Sequence, residues 1–435
     1  MRSNHIGGAS RRAGGRWKLG VVLAMALAVS TACNSLLTVD NPGRVPAEAL
    51  DDAALMPILE AAAIQTFQCG INNFAVTGAM LSGELLSSNG FVNNHPWEWR
   101  GAAEIRNEPG SCNNNRATTS VGFYTPLQQA RYQLDDTFSR LEAFTDAEVP
   151  NRARFMTEMR LYAGYSYLLL GEGTCQMTID NGPAMTKAEV WALAEARFTD
   201  AITRATAIGG ASADSLKNTA LVGRARTRLD LGNLAGAAAD AALVPTGFVR
   251  NAAFSESTPP RENRFYNLNI RNPYLSVADA YRGLTVDNTT TADPRVRVTN
   301  ANRIGNDNVT PMWLQTKYTG NGAASETIAS WNEAQLILAE AVGGQAGIDA
   351  LNRVRAANGI TTQLVYGGGD ITNIVLEERR RQLFLEGQRY VDMLRKNLPF
   401  PTGVNGANRK GQVYGPVTCV PLPNVETQNN PNFKT

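Results

Sequence analysis

The chain has 435 residues, 41 Lys and Arg against 39 Asp and Glu, 43% hydrophobic residues and two histidines. Five of the basic residues lie in the first 18 positions, so residues 33–435 hold 36 basic against 39 acidic side chains, a net charge of −3. That balance excludes a basic nucleic-acid face. The single histidine left, His95, excludes a two-histidine metal site and an HExxH site, and any Ser-His-Asp triad would have to use it.

In chain order, Arg2, Arg11, Arg12, Arg16 and Lys18 form a basic head before an uncharged apolar run, Leu19 to Ala32. Ser30-Thr31-Ala32 then leads into Cys33. These are the parts of a secretory signal peptide over residues 1–32. The run is too short to span a bilayer as a mature helix. A cysteine at the cleavage point is expected to be retained and lipidated, although Ser30 stands where a strong lipobox has Leu. The alternative is a secreted protein with an ordinary thiol. No later apolar stretch is expected to span a membrane. Export favours disulfides, and the four further cysteines allow three pairings. Cys69–Cys112 with Cys175–Cys419 is the expected set, and buried free thiols are the alternative.

Helices with marked ends follow. Thr125-Pro126 opens one whose inner face is Leu127, Ala130, Leu134, Phe138 and Leu141. Asn151 is placed to cap the next, with Phe155, Met159, Tyr162 and Leu169 inward. Thr186 and Glu189 form a capping-box pattern before Trp191, Ala194, Phe198, Ala201 and Ala205, and Ser330 with Glu333 repeats it. Asp370 is expected to cap one last long helix that Pro399 ends. Gly164-Tyr165-Ser166-Tyr167 with Gly171, and Ala225 and Gly232 with Ala237 and Ala241, have tetratricopeptide-like spacing, interrupted at Glu172 to Met185. A plain helical bundle explains that spacing nearly as well.

Two long inserts, about 66–124 and 246–329, are rich in Asn, Gly, Thr and aromatics and lack helical periodicity. Loops this long are functional or disordered, and the aromatics argue for folded excursions with short strands. The reading is a mainly all-α chain: a single domain over 33–435. Asn72-Asn73 and Asn113-Asn114-Asn115 read as turns. Asp287-Asn288 with Asp293 lacks the spacing of an EF-hand loop, so no metal is expected, and no cofactor.

The C-terminal third is the most specific text. It runs Ser330-Trp-Asn-Glu-Ala-Gln-Leu-Ile-Leu-Ala-Glu-Ala341, then Leu351-Asn-Arg-Val-Arg-Ala-Ala-Asn-Gly359. Glu377-Glu-Arg-Arg-Arg-Gln-Leu-Phe-Leu-Glu-Gly-Gln-Arg-Tyr-Val-Asp-Met-Leu-Arg395 follows, and Pro421-Leu-Pro423 and Asn430-Pro431 close it. With Asp293-Pro-Arg295 and Lys317-Tyr318, this resembles the SusD/RagB family of outer-membrane nutrient-binding lipoproteins. Gln382 stands where that pattern has Glu, and Leu422 where it has Ile. The resemblance implies a SusD-like α-α superhelix of tetratricopeptide-like helix pairs. It also implies no enzymatic activity, a lipid anchor on the cell outer membrane, and capture of an oligosaccharide or peptide for a SusC-like TonB-dependent transporter. An exported helical-repeat scaffold binding peptide or protein is the alternative.

On its residues the long motif reads as structural. Leu376, Leu383, Gly387, Tyr390 and Leu394 fall on one stripe, and Glu386, Arg389 and Asp392 are spaced to pair along the helix. Glu377, Glu378 and Glu386 as acid–base residues are the catalytic alternative. Sugar sites want aromatic plates ringed by amides and charges. Phe91-Val-Asn-Asn-His-Pro-Trp-Glu-Trp-Arg100 supplies that mixture, with Trp97 and Trp99 on one face if the segment is a strand. Trp97, Trp99 and Asn93 are therefore candidate ligand residues. Trp313, Tyr274 and Tyr281 are candidates in the later insert, and His95 is expected in a solvated loop.

Overall fold

The computed structural model describes residues 47–90, 95–112 and 121–433. The signal segment, Cys33, Asn93 and Asn113–Asn115 lie outside the described residues. Residues 47–52 belong to a small N-terminal unit and form a 3₁₀ turn, Ala47–Leu50. All that follows concerns the compact unit Ala53–Thr435.

The frame is a run of helices packed each on the next. Helices α1 (Met56–Leu81), α4 (Tyr124–Glu142), α5 (Arg152–Gly173), α6 (Lys187–Ile208), α7 (Gly210–Asp230), α8 (Leu234–Ala242), α9 (Trp331–Val342) and α10 (Gly344–Ala357) form a continuous series of neighbours. Between α1 and α4 lie the short helices α2 (His95–Trp99) and α3 (Ala102–Arg106). Helices α11 (Thr372–Gln382), α12 (Gln388–Arg395) and α13 (Asn424–Asn429) complete the chain.

Local sequence accounts for most of the frame. The inner stripe of α4 is fully buried from Leu127 to Leu141. Thr186 and Glu189 make the reciprocal capping box at α6, and the Ser330 side chain accepts from the Glu333 N–H at α9. The antiparallel pair α7–α8 turns at Gly232 and closes on Ala225, Ala237 and Ala241, all fully buried. Asn151 behaves differently: it has a left-handed backbone and makes no side-chain cap.

Three expectations need correction. The first insert starts after Leu81 rather than at Thr66, because α1 continues through that stretch. The helix is buried on nearly every side there, so no amphipathic period marks it. Asn72 and Asn73 are not turns but buried mid-helix groups that tie loops to α1. Asn72 donates to Glu326 at 2.6 Å and accepts from the Arg264 N–H at 2.7 Å, while Asn73 donates to the Gly122 carbonyl at 3.1 Å. Second, the helical stretch Ala53–Leu81 is long and apolar enough to reach membrane-span length. It packs on α4, α5 and α12, and its last turns are core.

Third, the last long helix is two. The chain breaks between Gln382 and Gln388, where Leu385 and Gly387 take left-handed backbone, φ 59° and 75°. A Cβ on Gly387 would stand 2.9 Å from the Phe74 ring and 3.2 Å from the Ala75 Cα, so the break lets α12 close onto α1. The ion pairs follow the break. Asp392 binds Arg379 at 2.8 Å and Arg395 at 2.9 Å, and Glu386 binds Lys317 at 2.5 Å, so neither pairs with Arg389.

Among the described residues, three two-stranded antiparallel sheets stand on this frame. Strand β1 (Leu85–Ser87) pairs with β3 (Leu275–Val277), β2 (Val249–Ala252) with β6 (Glu326–Ser330), and β4 (Val298–Ile304) with β5 (Pro311–Gln315). The first pairing matters most, because it stitches the two inserts together across 192 positions of chain, Leu85 opposite Val277. Disulfides join Cys69 to Cys112 and Cys175 to Cys419. The second pins the C-terminal segment to the 174–186 connection, where Thr174 also bridges Val420.

Candidate functional site

The recurrent motif residues act as a clamp between the second insert and the α11–α12 break. Arg295 binds Asp293 at 2.8 Å and Glu378 at 2.5 Å, and Arg355 reaches the other Glu378 oxygen at 2.9 Å. Lys317 donates to the Phe384 carbonyl at 2.8 Å, and the Tyr318 hydroxyl to the Leu385 carbonyl at 3.2 Å. These bonds satisfy backbone freed by the break. Glu377, the third carboxylate of the catalytic alternative, is held by Arg380 and Arg381. All three motif carboxylates thus serve cations. Asp287 and Asp293 are likewise bound by Arg355 and Arg381, and among the described residues no three His, Cys, Asp or Glu side chains converge as metal ligands.

The clamp positions a pocket of 450 Å³ where both inserts, the α11–α12 corner and the C-terminal loop meet. Ser82, Gly83, Leu86 and Glu98 come from the first insert and Ala278–Tyr281 from the second. Arg380 and Arg389 come from α11 and α12, and residues from Pro401 to Tyr414 from the loop. Gly83 is required: its φ is 74°, and a Cβ would lie 2.5 Å from the Pro401 ring. Tyr281 stacks on Phe384 with ring centres 5.0 Å apart, and the Arg380 guanidinium lies 5.3 Å from its centroid. Arg100 lies between Phe400 and Tyr414, 5.2 and 5.3 Å from the two rings. Burial pushes the Tyr414 hydroxyl up to about 12, so it is a neutral donor. Glu98 is buried, which raises its carboxyl. It accepts from the Ser87 N–H at 3.0 Å and faces Lys410 at 3.8 Å.

The aromatic candidates fare unequally. The segment from His95 to Trp99 is helical, so Trp97 and Trp99 point about 200° apart instead of sharing a face. Trp97 is 1% exposed, a core residue that no sugar can reach. Trp99 is half-buried, and its indole N–H has no partner among the described residues. Tyr281 is buried at the pocket wall. Trp313 is half-buried on β5, with Arg282 5.1 Å from its ring centre. Tyr274 is half-buried, and its carbonyl accepts from Ser88 and Asn89, both at 2.9 Å. Arg282 also pairs with Asp279, which lines the pocket, so Trp313 and the pocket form one connected region. Arg380, Arg389, Arg409 and Tyr414 were not legible as site residues, because only the tertiary fold brings α11, α12 and the 401–414 loop together.

The family model described as the SusD family matches residues 243–433. The structural likeness extends further. A SusD superfamily protein from Bacteroides fragilis shares 12% identity at a TM-score of 0.62, covering 88% of this chain and 99% of that one. A laminarin-binding SusD-like protein shares 13% at 0.59, covering 86% and 98%. Surface glycan-binding protein A from Bacteroides uniformis shares 14% at 0.60, covering 87% and 98%. No curated protein matches the chain. The fold is therefore SusD-like well beyond the matched region, with the DPR, KY and long C-terminal motifs serving as its clamp.

Proposed function

We propose that this protein is a non-enzymatic, lipid-anchored binding protein of the cell outer membrane. It captures a glycan or oligosaccharide and delivers it to a SusC-like TonB-dependent transporter. The observation that carries the reading is the convergence of both inserts and the C-terminal loop on one tyrosine- and arginine-lined pocket beside Trp313, on a SusD-like frame. Sugars offer flat CH faces ringed by hydroxyls, and half-buried aromatics among charged groups fit that chemistry.

Two structural neighbours carry names that state glycan binding, which supports a sugar ligand over a peptide. The cation-bound state of Glu377, Glu378 and Glu386 supports binding without turnover. Trp313 and Tyr274, in the second insert, are the aromatics best placed for a ligand; Trp99 and Asn93 belong to the first insert. Lipidation at Cys33 would set the protein at the membrane, with at least two acyl chains needed for a stable anchor.

Affinity electrophoresis through gels containing individual polysaccharides tests the reading, with retardation by at least one glycan expected. Retention of peptides and of no glycan would move it to the scaffold alternative. Copurification of a large β-barrel protein from detergent-solubilised outer membrane tests the partner. Palmitate incorporation that is lost in Cys33→Ala tests the anchor.

A further inference from the structure

The three guanidinium groups lining the pocket are not equivalent. Arg380 is neutralised by Glu377, with Nη2 at 2.9 Å and Nε also bonded. Arg409 is neutralised by Asp279 at 2.5 Å. Arg389 is half-buried and makes no hydrogen bond or ion pair among the described residues. The carboxyl whose field it shares, Glu84, is already occupied. Glu84 accepts from the Leu385 N–H at 3.0 Å and the Ser82 hydroxyl at 3.2 Å, and burial raises it to about 7. It is thus a weak counter-charge. A half-buried guanidinium at a cavity wall that no carboxylate neutralises is open to a charge-assisted bond from an anionic ligand. On the same wall the half-buried Tyr414 offers the apolar surface and the hydroxyl a sugar ring uses.

We propose that this pocket takes an acidic sugar unit, with Arg389 pairing to the carboxylate or sulfate of the bound oligosaccharide while Tyr414 flanks its ring. This rests on the glycan-binding reading and narrows it to a chemical class. The attraction is local, since residues 33–435 carry a net charge of −3 and offer no general affinity for polyanions. A charge-assisted bidentate contact of this kind carries about a tenfold to hundredfold discrimination.

The experiment measures binding of the full chain by titration calorimetry at low salt to two matched pairs: polygalacturonate with its methyl-esterified form, and dextran sulfate with dextran. The expected result is at least about tenfold tighter binding of one acidic polymer than of its neutral partner. Which polymer is bound identifies the carboxylate or the sulfate. Arg389→Gln should remove most of that preference and Arg389→Lys should restore part of it. Arg389→Gln should melt with the parent protein, because Arg389 makes no hydrogen bond or ion pair among the described residues. Should it not fold, Arg409→Gln, which leaves Asp279 uncovered at the same wall, should weaken acidic binding in its place. Equal binding of acidic and neutral forms, or unchanged affinity in Arg389→Gln, overturns the inference and leaves the glycan reading standing. Binding to no glycan of any kind overturns both.

Discussion

Glu326→Gln makes a buried carboxyl report on the fold. Glu326 opens β6, is 1% exposed, and forms no ion pair among the described residues. Asn72 donates to it from α1 at 2.6 Å. Burial raises its carboxyl from 4.5 to about 8, with Glu386 adding to the shift and the Asn72 bond and Lys317 opposing it. The folded state therefore holds a proton that the unfolded state releases. Such a group's contribution is fully present below about pH 4.5 and is lost as pH rises through about 8. From those two values the loss between pH 5.5 and pH 8 is about 3 kcal/mol. Glutamine keeps the acceptor for Asn72 and cannot ionise. Glu84 and Glu333, both raised to about 7 by burial, act with the same sign in both proteins and cancel from the comparison. Urea unfolding at the two pH values should show the variant gaining about 3 kcal/mol more over the parent at pH 8 than at pH 5.5. An equal difference at both pH values would refute a protonated buried carboxyl at this position.

Gly387→Ala should cost about 2–4 kcal/mol in urea unfolding, combining left-handed strain with the clash against Phe74 and Ala75. A shift below about 0.5 kcal/mol would remove the reason given for the α11–α12 break. Replacing Cys175 and Cys419 with Ala opens a loop of 244 residues. This should cost about 3–5 kcal/mol in the same assay. Trp97→Ala should cost about 3–5 kcal/mol of stability, as a core truncation does. Trp313→Ala should cost less than about 1 kcal/mol, yet weaken glycan retention in affinity gels. The reverse order of the two stability losses would mean that burial has been misassigned.

The frame was readable because its signals are local. Capping pairs at Thr186–Glu189 and Ser330–Glu333, and apolar stripes such as Leu127–Leu141, need no tertiary knowledge. Residues 66–81 escaped because a helix buried all round has no period, and because Asn72, Asn73 and Thr77 look like loop residues until their partners are known. On its alternation the Trp97–Trp99 segment reads as a possible strand. Pro96 at the second helical position and Glu98 in the first turn were the available helix signals, and they place the two indoles on opposite sides. Gly387 falls on the apolar stripe and does sit against α1, but its left-handed backbone also ends a helix, which a stripe of side chains does not reveal. The pocket was hidden for a different reason. Arg380 and Arg389 belong to a motif whose other members are structural, and their wall partners lie in a loop without periodicity or motif.

The claim at the centre of this account is that a helical frame grips a sugar polymer and leaves it chemically intact. Incubating the purified protein with a retained oligosaccharide, and then measuring both bound fraction and chain length by size-resolved chromatography, tests both halves at once. The account predicts saturable binding and a recovered chain of unchanged length; progressive shortening, or no retention of any glycan tried, would contradict it.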